Sequence, residues 1–397
     1  MTVAANIYDV IIAGGGPAGA SAGIHLANRG ARVLLAEQKK FPRAKLCGEF
    51  ISPECAGHFE RLGVADRIFA AGPASLTETV FYSRKGKSVS VPSAWFAPNG
   101  VALGLSRAEM DERLLRRASD AGVEVLEDAQ VLGPLFESDR VCGITLRTGD
   151  LELDCRAPVT IDATGRTRTL TRVVSRICKA RARLQRAPLV AFKAHLQDAR
   201  VTPGACEIYF YRGGYGGLST IENGLSNLCF IASARDVREC GADAERVMRE
   251  VVCQNQRAAK ALAQARACTP WLAVSLEGFG RHSVQPADGL LAIGDAASFI
   301  DPFTGSGMLM ALESGELAAR VIGDRLDTIR EGGELNALGE QYRGLYKQTF
   351  DSRLRLCSMM RRAAFVPGLA NLAVAFFGAS RFLRRRVTRA TRLGLTN

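Results

Sequence analysis

DVIIAGGGPAGASAGIHLANRGARVLLAE, residues 9–37, contains two apolar runs separated by a glycine cluster and an alanine-rich stretch. Asp9–Ala13 is short, apolar and runs straight into glycine, which predicts a buried strand. Gly14–Gly19 forms the turn, Ala20–Arg29 a helix, and Ala31–Ala36 a second strand that ends at Glu37. In this βαβ unit Gly14 permits the tight turn, Gly16 lets the backbone approach a pyrophosphate, and Gly19 lets helix and strand pack closely. The phosphate then meets the positive end of the helix. Glu37 is placed to accept hydrogen bonds from a ribose 2′-OH, and its charge would repel a 2′-phosphate there. FAD or NAD therefore suits this site, and NADP does not.

Further along, residues 290–308 read LLAIGDAASFIDPFTGSGM. An apolar strand delivers Gly294 and Asp295 to a turn, and Pro302, Gly305 and Gly307 open a new helix. A helix start of this kind stabilises negative charge developing on a reduced flavin. The pattern G-D-A-A…D-P…G-x-G resembles the second FAD motif of the glutathione-reductase-type flavoproteins, which include aromatic hydroxylases, flavin halogenases and geranylgeranyl reductases. The resemblance implies that Asp295 contacts the ribityl and pyrophosphate region, and that Gly305, Gly307 and Met308, behind Pro302, face the flavin ring. Two more segments extend it over most of the chain. Ser106-Arg107-Ala-Glu-Met-Asp111 resembles that family's flavin-contacting arginine at a helix start, and Asp162-Ala-Thr-Gly165-Arg resembles its third FAD fingerprint.

The implied fold is α/β, a Rossmann-type FAD-binding domain with an inserted antiparallel β-sheet substrate lobe and a helical C-terminus. Residues 1–75, 100–178 and 275–332 form the FAD-binding domain, 76–99 and 179–274 the substrate lobe, and 333–397 a helical, basic C-terminal segment. Within this frame Val123–Leu126, Val131–Phe136, Val141–Leu146 and Leu151–Cys155 are spaced like a β-meander. Leu189–His195, Cys206–Tyr211, Gly216–Ile221 and Leu228–Ala234 read as an antiparallel sheet, and Ala242–Ala265 as one long helix.

Composition narrows the setting. The 397 residues are 47% apolar and 23% charged, ordinary for a globular α/β chain and wrong for a disordered one. The eleven cysteines form no C-x-x-C pair and read as reduced cytosolic thiols. Much of the net charge of +12 lies in the arginines from Arg353 to Arg392, without the interleaved aromatics that stack bases. An anionic membrane surface is thus the expected partner, not nucleic acid, with the chain cytoplasmic or at the inner membrane surface. The apolar stretch Ala363–Gly378 is interrupted by Pro367, Gly368 and Asn371 and falls short of the ~20 residues a spanning helix needs. It either lies in the headgroup plane or caps the substrate lobe.

Three segments address the branch of the family. Aromatic hydroxylases carry A-D-G where this chain has Ala163-Thr164-Gly165. Halogenases carry W-x-W-x-I-P, whereas the two tryptophans here, Trp95 and Trp271, stand far apart. Lys45-Leu-Cys47-Gly48-Glu49 resembles the C-G-(G/E) loop of geranylgeranyl reductases, implying that Cys47 lies near the flavin. There it either donates a proton or is a small buried apolar group. That branch's Trp and Phe-Pro-Lys pattern is not reproduced, but Tyr209, Tyr211 and Tyr215 stand where it has substrate-facing aromatics. The implied activity is FAD-dependent hydride transfer through flavin N5, to or from a carbon–carbon bond of a lipophilic prenyl, polyketide or carrier-linked substrate, with NAD(P)H as electron donor. The alternatives are a monooxygenase hydroxylating an aromatic or polyketide ring through a flavin C4a-hydroperoxide, and a non-enzymatic protein in which FAD is structural.

Overall fold

The computed structural model describes residues 8–97, 100–177, 189–276, 279–300, 305–333 and 335–365, together with Arg385. A five-stranded parallel sheet lies at the centre of the first lobe, in the order Leu290–Ala292, Val159–Asp162, Val10–Ala13, Val33–Ala36, Glu124–Leu126. Its strands other than Glu124–Leu126 are buried on both faces because both are covered. Val10, Ile12, Val33 and Leu35 pack toward the helices Pro17–Ala27, Arg107–Asp120 and Gly307–Gly323. The alternate residues Ile11, Ala13, Leu34 and Ala36 pack under an antiparallel meander, Ala129–Glu137, Arg140–Thr148 and Leu151–Arg156. Burying side chains of this size contributes about 1.5–3 kcal/mol each, so the two-faced pattern fixes the layer order.

The second lobe is an eight-stranded sheet. Its path runs Arg266–Ala267, Leu189–Gln197, Ser226–Ser233, Gly214–Thr220, Ala205–Tyr211, Glu78–Tyr82, Ser88–Pro92, with Leu272–Leu276 also paired to Leu189–Gln197. Every pairing is antiparallel except that of Ala205–Tyr211 with Glu78–Tyr82, which stitches the early hairpin onto the later strands. Helices between Ala234 and Ala261, Met248 among their buried residues, cover one face, over Phe192, Leu218 and Phe230. The other face turns toward the first lobe, and its apolar cluster takes in Phe299 from beyond the Leu290–Ala292 strand.

Two expectations are corrected. The stretch read as one helix over Ala242–Ala265 is broken into Ala244–Glu250, the single turn Val252–Gln254, and Gln256–Ala261. Asn255 imposes the break: its Oδ1 accepts from the backbone N–H groups of Arg257 at 2.9 Å and Ala258 at 3.1 Å, capping a new helix. Its Nδ2 lies within hydrogen-bond distance of the carbonyls of Tyr82, Ser83 and Phe210, which pins the break to the sheet. Val123–Leu126, read with the meander, is instead the edge strand Glu124–Leu126 of the parallel sheet, beside Val33–Ala36. The C-terminal helix runs Asn336–Phe365. Beyond it the apolar stretch and the arginines from Arg381 onward lie outside the described residues, apart from Arg385. No described helix is long and apolar enough to cross a membrane.

Candidate functional site

Gly14, Gly16 and Gly19 sit between the first strand and the first helix, and each has a different reason to lack a side chain. Gly14 has φ +108°, and a Cβ there would lie 2.5 Å from the Ala163 carbonyl oxygen. A Cβ on Gly19 would lie 1.9 Å from the Gly14 carbonyl oxygen. Gly16 faces open space, where the nearest atoms to a Cβ are guanidinium nitrogens of Arg43 at 3.9 Å and Arg107 at 4.0 Å. It precedes Pro17–Ala27, whose N-terminus receives no side-chain cap. Unsatisfied backbone N–H groups thus face a gap lined by cations, the arrangement that takes a pyrophosphate.

Glu37 is buried at the end of the second strand and steadies the turn. Its Oε2 accepts from the Gly15 N–H at 2.8 Å and its Oε1 from the Lys39 N–H at 3.0 Å. Asp162 is fully buried. Its Oδ1 accepts from the Thr164 N–H at 3.1 Å and hydroxyl at 2.6 Å, and its Oδ2 from the Thr171 N–H at 2.9 Å and hydroxyl at 2.8 Å. Both oxygens are therefore occupied in shaping the loop that brings Ala163 over Gly14 and leads to Gly165, where φ is +69°.

Below the glycine turn lies a group of charges. Arg107, at the start of Arg107–Asp120, donates from Nε and Nη2 to the two oxygens of Asp111, both at 2.7 Å, and Arg43 reaches the same carboxylate at 3.1 Å. Burial works against the Arg107 cation, but Asp111 outweighs it and, with the Cys47 sulfur, lifts the guanidinium above its ordinary value. Asp295 follows Gly294, whose φ of +56° tucks the turn against Ala18. Burial pushes the Asp295 carboxyl up, against the pull of Arg166, Lys45 and Arg107. Burial likewise pushes Lys45 and Arg166 down, and both feel Asp295. Arg43, Lys45, Arg107 and Arg166 thus gather around Asp111 and Asp295. A surplus of positive charge is what an added diphosphate would neutralise.

Gly305 has φ +61°, Gly307 begins the helix Gly307–Gly323, and Met308 is buried. Pro302 lies outside the described residues. Gly315 brings that helix against the first one, since a Cβ there would lie 2.5 Å from the Ala18 carbonyl oxygen. The Gly294 turn and the body of that helix therefore both pack against the start of the first helix at Ala18, and the residues present fit the cofactor.

The three tyrosines part company. Phe210 pairs directly with Tyr215, so these two share the sheet face turned toward the first lobe. Tyr209 and Tyr211 alternate onto the opposite face, under the helices. There the Tyr209 hydroxyl donates to Glu207 at 2.6 Å and that of Tyr211 to the Ile231 carbonyl at 2.9 Å. A tyrosine run along a strand cannot line one cavity, because successive side chains point to opposite faces.

Cys47 is partly buried. Its Sγ accepts from the Glu49 N–H at 3.4 Å, and its carbonyl accepts from Asn227 Nδ2 at 3.2 Å. Sequence reading missed its neighbours. Glu49, fully buried, meets Lys193 at 2.8 Å and His195 at 2.6 Å, and accepts from the Arg107 N–H at 2.9 Å. Burial opposes the Glu49 charge, yet His195 and Lys193 hold its carboxyl below the usual range. One signal was present: Lys193 and His195 stand two apart in the apolar strand LVAFKAHLQ, on a single face.

Comparison with known proteins follows the same outline. Residues 7–322 match the family described as "FAD binding domain". Menaquinone reductase of Mycolicibacterium smegmatis is 27% identical over 79% of this chain and 76% of its own length. Digeranylgeranylglycerophospholipid reductase of Methanocella arvoryzae is also 27% identical, over 79% and 77%. Among solved structures, the flavin-dependent brominase Bmp2 superposes with a TM-score of 0.78 at 21% identity, covering 97% of this chain and 93% of that one. A geranylgeranyl bacteriochlorophyll reductase-like protein of Thermoplasma acidophilum gives 0.75 at 22% identity, covering 94% and 92%. At such identities these two structures bear on the fold alone.

Proposed function

This chain belongs to the FAD binding domain family and is an FAD-dependent oxidoreductase, and we propose that it reduces a carbon–carbon double bond of a lipophilic prenyl or prenylquinone-type substrate, with NAD(P)H as donor. The observation that carries the reading is the Cys47 loop: it sets a thiol beside Arg107 on one side and against the sheet of the second lobe, through Asn227, on the other. The two reductases at 27% identity, named for menaquinone and a prenyl lipid, support the substrate class.

FAD would lie along Gly14–Gly19 and Glu37, with Arg43, Lys45, Arg107 and Asp295 near its phosphates and ribityl chain, and Gly165, Gly305, Gly307 and Met308 toward the ring. When bound it supplies hydride transfer. The chain's own groups do the rest. Arg43 and Lys45 offset phosphate charge, Asp162 holds the loop over Gly14, and the apolar face with Leu189, Ala191, Phe210, Tyr215 and Ile231 excludes water from an aliphatic chain. Cys47 serves as a hydrogen-bond donor in this site. The same reading assigns FAD binding to residues 1–75, 100–178 and 275–332, the substrate to 76–99 and 179–274, and contact with an anionic membrane to the basic C-terminus.

The test is an oxygen-electrode assay run beside NADPH absorbance, with menaquinone and geranylgeranyl lipids as probes. NADPH consumed in step with reduced product, without oxygen uptake, is expected. Oxygen uptake coupled to substrate would instead establish a monooxygenase.

A further inference from the structure

Lys193 and His195 are the polar interruptions of the Leu189–Gln197 strand on the face turned from the helix-covered core of Phe192, Ala194 and Leu196. Both end on one carboxylate from the other lobe. Glu49 Oε1 takes Lys193 Nζ at 2.8 Å and the Arg107 N–H at 2.9 Å, leaving Oε2 for His195 Nε2 at 2.6 Å. Glu49 is held at φ +51°, a left-handed conformation that a residue with a Cβ adopts only when its surroundings compel it. Lys193 and Glu49 are buried, whereas the His195 side chain keeps 13% of its surface. Among the described residues His195 Nδ1 has no hydrogen bond, so the ring is oriented from one nitrogen and open at the other. Asn227 lies directly across from His195 in the next strand, and its buried Oδ1 is also without a partner.

The geometry points to His195 as the proton donor of this site, with Glu49 and Lys193 as its positioning residues. The use of that proton rests on the reductase reading. For each hydride placed on one carbon of a double bond, the π pair takes a proton on the other; His195 gives it from Nδ1 and recovers one from water, so two C–H bonds form and one π bond is lost. Glu49 fixes the Nε2–H side of the ring, and Lys193 holds the other carboxylate oxygen. Asn227 Oδ1 would accept from a hydroxyl or similar donor on the substrate. The other titratable and charged groups facing this cluster are Cys47 from the loop, Cys229 from the neighbouring strand, Arg107 at the helix start, Arg166 from the turn and Cys268, whose thiol meets the His195 carbonyl.

Long-range 1H–15N spectra of FAD-loaded protein labelled at histidine nitrogens test this without any substrate. The chain has four histidines, and H195Q identifies the signal. Neutral His195 is expected to carry its proton on Nε2 and leave Nδ1 bare. In K193M, where Glu49 faces His195 alone, that proton should stay on Nε2 and its signal should move from the parent's position. A proton on Nδ1 in the parent, or an Nε2 signal indifferent to K193M with FAD content intact, would overturn the assignment and leave the trio as an ionic latch between lobes. If K193M does not fold, the parent tautomer decides alone. Failure of every prenyl probe to be reduced would sink the reductase reading while leaving the tautomer result standing.

Discussion

At the glycine turn the closest approaches are to backbone atoms, with a Cβ on Gly19 meeting the Gly14 carbonyl and one on Gly14 the Ala163 carbonyl, while Glu37 of the same βαβ unit accepts from the Gly15 N–H. The Glu49 cluster works the other way. Glu49 meets Lys193 across 144 residues and His195 across 146, through side chains alone, and only the docking of the second lobe brings them together. The first region depends on where chain atoms fit, so it tolerates almost no added volume. The second depends on charge balance, so it tolerates a change of shape better than a change of sign.

Substitutions should separate the two regions. The largest effect is expected at Gly14→Ala, where a Cβ would press on the Ala163 carbonyl and φ is unfavourable, at a cost of about 1–3 kcal/mol or more. The protein should purify without yellow colour, with FAD affinity lowered at least about 100-fold by fluorescence titration. Full occupancy would remove the glycine turn from the cofactor site. Next, Lys193→Met strips Glu49 of its buried counter-charge and should cost about 3–5 kcal/mol in urea unfolding. Adding Glu49→Gln to it should restore a large part, because a neutral pair leaves no uncompensated charge. An additive double mutant would show that the charges are not coupled.

Cys47→Ala touches neither backbone fit nor net charge. It should keep FAD and lower turnover by about 10–100-fold. Turnover equal to the parent's would return Cys47 to a packing role. The smallest effect belongs to Tyr209→Phe, on the sheet face away from the first lobe. It loses the hydroxyl bond to Glu207, worth about 1 kcal/mol of stability, and should leave KM and kcat alone. A raised KM there would put Tyr209 in the substrate cavity after all.

The same contrast explains what was legible in the sequence. The glycine turn, its strand and helix, the Asp162 and Asp295 turns and the parallel core were readable because period and glycine spacing act over a few residues. The parallel docking of the hairpin Glu78–Tyr82 and Ser88–Pro92 on Ala205–Tyr211 was not readable, because it is long-range. Asn255 looked like an ordinary helical position in Ala242–Ala265 because its three carbonyl partners belong to distant strands and turns. Tyr209 and Tyr211 were grouped with Tyr215 by proximity in the chain, although strand alternation at Phe210 separates them. Glu49 had been quoted only as part of a loop motif, and nothing near it in sequence announces the two cations that meet it.

The most direct measurement is the substrate half-reaction in the absence of oxygen. The FAD-loaded protein is photoreduced, then mixed anaerobically with menaquinone, and flavin absorbance and product are followed together. Return of the oxidised flavin spectrum in step with a product saturated at one prenyl double bond, not merely with the quinol form of the ring, is expected of a reductase. Flavin that stays reduced with this and every prenyl lipid until oxygen is admitted would contradict it.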